Sequence, residues 1–177
     1  HNTLPFFSTQ SVPEYRLSRE ERKSIMYNLS EYVDNRIKHK KATRSAYKSF
    51  CSSIPRDVSI VLDAANVARY QQGEHSDKAL NTQHYEQIKK VVSTLVRKGQ
   101  KVLVCLNESH YQKLSSKNKV IYQEIEQLAR IKLTPIGMDD DLCWLYAAIT
   151  IPFAKLVTTD KLRDHIYAID PRIEQWK

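Results

Sequence analysis

Four short apolar runs, each followed by a helix-length stretch, constrain this 177-residue chain more than any other feature. The first, residues 58–64 (VSIVLDA), is rich in β-branched residues, the pattern of a strand buried on both faces. Tyr85, Ile88, Val91, Val92 and Leu95 then recur at helical spacing, in a segment expected to start near Thr82 and end at Gly99, a C′ glycine. Residues 101–106 (KVLVCL) read as a second buried strand, and Ile121, Ile125 and Leu128 stripe the following helix. A weaker third strand is expected over 131–136, a short apolar helix over 140–149, a fourth strand over 154–159 and a closing helix over 161–168. Strands separated by helices of this length imply parallel β-α units joined by right-handed crossovers. The expected fold class is α/β: a three-layer α/β/α sandwich around a mostly parallel sheet of about four strands.

Residues 17–56 follow another pattern and read as an N-terminal helical annex, preceded by an extended segment over 1–16; the sandwich takes 57–177. Ser18, with Glu21 three residues on, has the spacing of a capping box. Ile25, Leu29, Val33 and Ile37 follow every four residues, one stripe of an amphipathic helix running to about residue 40. A second short helix carries Tyr47 and Phe50, and Pro55 closes the annex.

The annex also carries most of the net charge of +8, with eleven Lys/Arg against five Asp/Glu over residues 1–56. A pI near 9.3 suits a polyanionic partner. The densest stretch, Arg36 to Lys48, includes Lys38, Lys40, Lys41 and Arg44; it reads either as a solvated helix end or as a phosphate-binding surface. Cys51, Cys105 and Cys143 are widely spaced, which argues for a reducing compartment and against a disulfide framework. No apolar run reaches the roughly 20 residues of a membrane span. The chain begins at His1 and residues 1–13 lack the blocks of a signal peptide, so it reads as an excised or processed fragment.

Open parallel sheets bind ligands beyond the carboxyl ends of their strands, and acidic residues gather at those ends here. Asp63 closes the first strand, with Asn66 in the loop behind it; Asp160 closes the fourth, with Asp164 one helical turn later. Asp139, Asp140 and Asp141 follow the third strand across Gly137 and open a helix. Taken singly, aspartates at helix starts fit N-caps, which accept backbone N–H bonds at the positive dipole end. Asp63 fits that reading less well, because an unpaired charge after an apolar run is costly to desolvate. Carboxylates at three strand ends of one sheet converge, repel at low dielectric, and persist when cations neutralise them. Hard oxygen donors, with no paired Cys and no H-x-x-x-H, favour Mg²⁺ or Mn²⁺ over Zn²⁺. A basic protein with such a pocket points to phosphodiester hydrolysis, in which metals activate water and stabilise the attacking and leaving oxygens.

Three motifs go further. VLDAANVARYQQ, DDLCWLYAA and LVTTDKLRDH, in this order and spacing, resemble the metallonuclease domain of protein-only ribonuclease P, within the NYN group of PIN-like nucleases. The resemblance covers residues from about 56 to 177. It implies cleavage of the 5′ leader from precursor tRNA, leaving a 5′-phosphate on the mature end. It further implies that Asp63, Asp140, Asp141 and Asp160 are catalytic and bind metal, as a two-ion site, with Asp164 lining it. Arg163 and His165 match positions beside that site, and Asn66 supports it. Asp139 has no family counterpart and reads as a plain cap. Tyr70, Gln71 and Gln72 read as a loop touching RNA near the substrate groove, and Trp144 as core packing beside the aspartates.

The chain also departs from the family. Ala64 follows the first aspartate where the family usually has Gly, and Asn107 stands where the family carries a His, with His110 three residues on. The family's zinc site is incomplete, with no Cys pair upstream and no downstream ligands before Lys177. The family acts in mitochondria, plastids and nuclei. The Asn66-Val67-Ala68 step resembles the animal mitochondrial members, which favours an intracellular, mitochondrial address and accessory protein subunits. Two other readings stay open: an NYN/PIN-like endoribonuclease acting on messenger or small RNA, and a catalytically silent RNA-binding or scaffold module of the same fold.

Overall fold

The computed structural model describes residues 16–71 and 79–176. Its centre is four parallel strands, β1 (Ile60–Asp63), β2 (Val102–Asn107), β3 (Arg130–Thr134) and β4 (Lys155–Val157), in the spatial order β3-β2-β1-β4. β1 and β2 occupy the middle, which is why their runs are apolar on both faces. Alternation divides them. Ile60, Leu62, Val102, Val104 and Leu106 face one side, packing with α3 (Ala64–Arg69), α4 (Thr82–Arg97) and α6 (Ser116–Leu128). Val61, Leu103 and Cys105 face the other, against α7 (Asp140–Thr150).

α7 is apolar nearly all round because it is covered twice. Leu142, Cys143, Trp144, Leu145, Ala147, Ala148 and Ile149 are all buried. The sheet lies under one side of α7, and α1 (Arg19–Ile37) and α2 (Lys41–Ser52) lie over the other. The stripe of α1, Ile25, Leu29, Val33 and Ile37, joins the same apolar core as α7, so the annex helices share a core with the sandwich. Ser18 and Glu21 form the expected capping box. From the next turn, Arg22 donates to the carbonyls of Ile149 (3.0 Å) and Ile151 (3.2 Å), closing the C-terminal end of α7 with a cation.

Several elements differ from expectation. α1 stops at Ile37, where the Lys40 N–H closes a turn on the Ile37 carbonyl at 2.8 Å and α2 starts afresh. β3 stops at Thr134 because Pro135 has no N–H to continue the ladder. Leu128 is 39% exposed at the end of α6, and Tyr122 takes its place in the buried stripe. α3 occupies a stretch read as loop, and α5 (Glu108–Gln112) one given no element; both are too short to show helical periodicity. Ala64 begins α3 fully buried and outside the left-handed region, so the backbone there does not require glycine. Gly99 does sit in the left-handed region (φ 75°), as a C′ residue must. α8 (Arg163–Ile169) and α9 (Arg172–Trp176) close the chain, and among the described residues no helix is long and apolar enough to cross a membrane.

Because α1 and α7 share one core, Leu29→Ala is expected to cost about 2–5 kcal/mol in urea denaturation, with the transition still single. A loss under about 1 kcal/mol, or two separate transitions, would show α1 to be a detachable annex.

Candidate active site

Strand parity decides which side of the sheet bears the polar residues. Asp63 shares a face with Val61, and Asn107 shares one with Leu103 and Cys105, so both point to the α7 side at the carboxyl edge. Asp63 is 2% exposed. Its Oδ1 accepts the Asn66 N–H at 3.2 Å, which makes it the N-cap of α3. Its Oδ2 accepts the Asn66 amide at 2.6 Å and the Thr158 hydroxyl at 2.8 Å. Burial nevertheless wins over these donors and pushes the Asp63 carboxyl up to about 6, with the charge of Asp141 adding to the rise.

The second group arrives on α7. Gly137 (φ 77°) turns the chain after β3, and Asp139 caps the helix by accepting the Asp141 N–H at 3.2 Å. Asp140 folds back over the strand ends: its Oδ1 accepts the Asn107 amide at 2.6 Å and the hydroxyl of buried Thr134. Burial raises the Asp140 pKa against those two donors. Asp141 is also raised, first by burial and then by the charges of Asp139 and Asp160, while His165 works the other way.

The third group comes from the β4–α8 connection. Thr158 accepts the Asp160 N–H at 3.0 Å while donating to Asp63, so one hydroxyl ties the ends of β1 and β4 together. Asp160 Oδ1 in turn accepts the Leu162 N–H at 2.7 Å. Leu162 is buried yet left-handed (φ 54°), a conformation costly for a branched side chain, and it starts α8. α8 then delivers buried His165, whose Nε2 lies 3.3 Å from Asp141 Oδ2 and 3.8 Å from Asp139 Oδ2. The hydrogen bond to Asp141 raises the His165 pKa, against its burial.

One ligand atom each from Asp139, Asp141 and His165 lies within 4.8 Å of the other two, the spacing of a site that could hold a divalent cation. Asp139 is therefore a cap and a member of the cluster at once, and Asp63, Asp140 and Asp160 surround it electrostatically. Arg163 lies exposed at the start of α8; Asp164 follows it, and its side chain is outside the described residues, as is Gln72. Trp144 is buried in the core, and Tyr146 packs edge-on against Tyr47 with ring centroids 6.1 Å apart. Lys38, Lys40 and Lys41 are exposed around the α1–α2 turn, and Arg44 pairs with Asp34 at 3.0 Å. Thr43 Oγ1 stands 3.8 Å from where a Cβ on Gly137 would be, so the first turn of α2 borders the loop that leads into the aspartates. Tyr70 is 52% exposed and Gln71 is exposed in a left-handed conformation, both past the end of α3. Burial pushes the His110 imidazole down to about 4. The sequence reading missed Thr134 and Thr158 as partners of the carboxylates. The available signal was a threonine at or just past the end of a strand, on the side facing the aspartates.

Comparison with known proteins bears on this geometry. Residues 9–176 match the family model for protein-only RNase P. Proteinaceous RNase P 3 of Arabidopsis thaliana is 28% identical over 125 residues, 68% of this chain and 21% of that protein. Proteinaceous RNase P 1 (chloroplastic/mitochondrial) of the same plant is 36% identical over 53 residues, 30% of this chain and 9% of that one. The solved structure of Arabidopsis thaliana nuclear protein-only RNase P 2 superposes with a TM-score of 0.67 at 24% identity, covering 90% of this chain and 33% of that one, a likeness of fold. The chain thus spans about a fifth or less of the length of these two curated relatives. With the family model covering all but its first eight residues and its last, this chain belongs to the protein-only RNase P family.

Proposed function

We propose that this chain is a metal-dependent endoribonuclease domain that removes the 5′ leader of precursor tRNA, leaving a 5′-phosphate on the tRNA. The observation that carries the reading is the meeting of Asp63, Asp139, Asp140, Asp141, Asp160 and His165 at one carboxyl edge, in a chain of this family. The donors fit Mg²⁺ or Mn²⁺: carboxylate oxygens dominate, and three ligand atoms already lie within 4.8 Å. Among the described residues His165 Nδ1 is buried with no hydrogen-bond partner while Nε2 faces Asp141, so the polar contact of the ring there is on the cluster side. In this reading Asp63, Asp140, Asp141 and Asp160 hold up to two ions, joined by Asp139 and His165, with Asp164 at the margin.

Such a cation, when bound, lowers the pKa of water and offsets charge developing on phosphate oxygens. The chain's own residues do the rest. Asn66 and Thr158 fix Asp63, and Asp139 holds the first turn of α7 so that Asp141 faces His165. The hydrogen bond to Asp141 favours the protonated form of His165, so a cation entering the cluster would compete with that proton. Lys38, Lys40, Lys41 and Arg44, beside the loop into α7, form a cationic wall for the phosphate backbone, and Tyr70 and Gln71 offer further contacts. We infer a mitochondrial address and accessory subunits from the Asn66-Val67-Ala68 step.

The test is cleavage of labelled precursor tRNA by the natural polypeptide, with Mg²⁺ and any subunits it requires. Asp141→Asn and Asp160→Asn are each expected to slow it about a hundredfold or more, a loss of about 3 kcal/mol of transition-state stabilisation. Intact RNA with wild type would end the enzyme reading, and variants as fast as wild type would end the assignment of the aspartates.

Replacing Lys40, Lys41 and Arg44 together with Gln is expected to flatten the dependence of log affinity on log salt by roughly 1 for each phosphate left without its cation. An unchanged slope would make that turn a solvated surface.

Acidity should act with a defined sign. Asp63 rises from 3.8 to about 6, and Asp140 and Asp141 rise too, so folding takes up protons and their contribution to stability falls as pH climbs from about 4 to about 6. Stability from His165, whose pKa is also raised, is full below its unfolded value and is lost as pH rises through the folded one. Both trends weaken the metal-free fold toward neutral pH, where deprotonated ligands bind the cation best. The Tm increment from saturating Mg²⁺ is therefore expected to be larger at about pH 7.5 than at about pH 5.5. Equal increments would separate the cation from this cluster.

A further inference from the structure

The last rung of the β2–β3 ladder pairs Asn107 with Thr134. Both side chains turn to the α7 face, and six residues beyond Thr134 the chain returns to set Asp140 over that rung. A single carboxylate oxygen, Oδ1, accepts from both: the Asn107 amide at 2.6 Å and the Thr134 hydroxyl. Thr134 is fully buried, so water does not compete for its hydroxyl.

The amide cannot face the other way. Asn107 Oδ1 accepts the Ser109 N–H at 2.9 Å as the N-cap of α5, which leaves Nδ2 as the atom that meets Asp140. A flip would lose the cap and bring two oxygens together. Thr134 Oγ1 is itself approached by Asn107 Nδ2 at 3.5 Å, which directs the hydroxyl hydrogen to Asp140. Oδ2 of Asp140 has no hydrogen bond among the described residues, and swinging the carboxylate away from the strand ends would break both bonds to Oδ1. Asp139 and Asp141 flank Asp140 in sequence, so the two donors hold a carboxylate that has like charges on either side of it in the chain.

We propose that Asn107 and Thr134 are positioning residues that hold Asp140 with one oxygen filled and the other presented to a divalent cation, and so set the affinity of the cluster for that ion. The inference rests on the metal-dependent reading above. Asn107 joins two tasks in one side chain, starting α5 with its oxygen and orienting a carboxylate with its nitrogen.

The test is Mn²⁺ binding to the full-length protein, followed by electron paramagnetic resonance of the free ion. Asn107→Ser keeps a good N-cap for α5 but is too short to reach Asp140. It is expected to weaken Mn²⁺ binding about tenfold or more while leaving the metal-free Tm near that of wild type. Cleavage by this variant should recover as Mn²⁺ is raised, with the metal concentration for half-maximal rate shifted and the saturated rate preserved. Thr134→Val, which keeps shape and strand preference, should shift binding in the same direction and decides alone if Asn107→Ser does not fold. Ser115→Ala removes the N-cap of α6 and should lower Tm with Mn²⁺ affinity unchanged. If wild type binds Mn²⁺ and both Asn107→Ser and Thr134→Val bind it equally tightly, the positioning role is overturned while the metal reading stands. If wild type binds no Mn²⁺, the metal reading falls and takes this inference with it.

Discussion

A carboxylate buried at the end of β1 sets the terms for the whole carboxyl edge. Removing a charge from water costs several kcal/mol unless donors surround it, and Asp63 has them on both oxygens. Each donor fixes something else. The Asn66 N–H belongs to the first turn of α3, so capping that helix and solvating the carboxylate are one interaction. The Thr158 hydroxyl also receives the Asp160 N–H, so satisfying Asp63 places the next carboxylate.

The α7 helix extends this order in the other direction. Its first turn bears Asp139, Asp140 and Asp141, where the positive dipole end favours anions, and Arg22 from α1 closes its far end. Between the two ends almost every side chain is buried, with the sheet on one side and α1 and α2 on the other. A helix gripped on both sides neither slides nor rotates readily, which is the condition for holding three successive carboxylates at fixed positions. The basic α1–α2 turn is carried to the border of this acidic edge by the same packing, with Thr43 against Gly137.

What could be read from the sequence was whatever depends on neighbours along the chain. The apolar runs of β1 and β2, the Ser18–Glu21 capping box and the aspartates at strand ends are all sequential patterns. What could not be read depends on neighbours in space. Nothing in the spacing pairs Asn107 with Thr134; that follows from the register of β2 on β3. Thr158 looked like the tail of a strand, and its role depends on β4 lying beside β1. Asp139 was legible as a cap, but its second oxygen meets His165 only because α8 carries that ring to the first turn of α7. The brevity of α3 and α5 hid them, since five or six residues cannot display a period of 3.6.

Leu162 is the position where these demands collide. Its backbone calls for glycine or asparagine, while its side chain, 1% exposed, calls for a large apolar residue. No natural amino acid meets both, so the segment between Asp160 and His165 is locally frustrated in the landscape sense. Glycine there would relax the main chain and empty part of the core; any other bulky residue would inherit the same conflict. This stretch brings Asp160 and His165 to the acidic edge through a backbone turn that its own buried side chain disfavours.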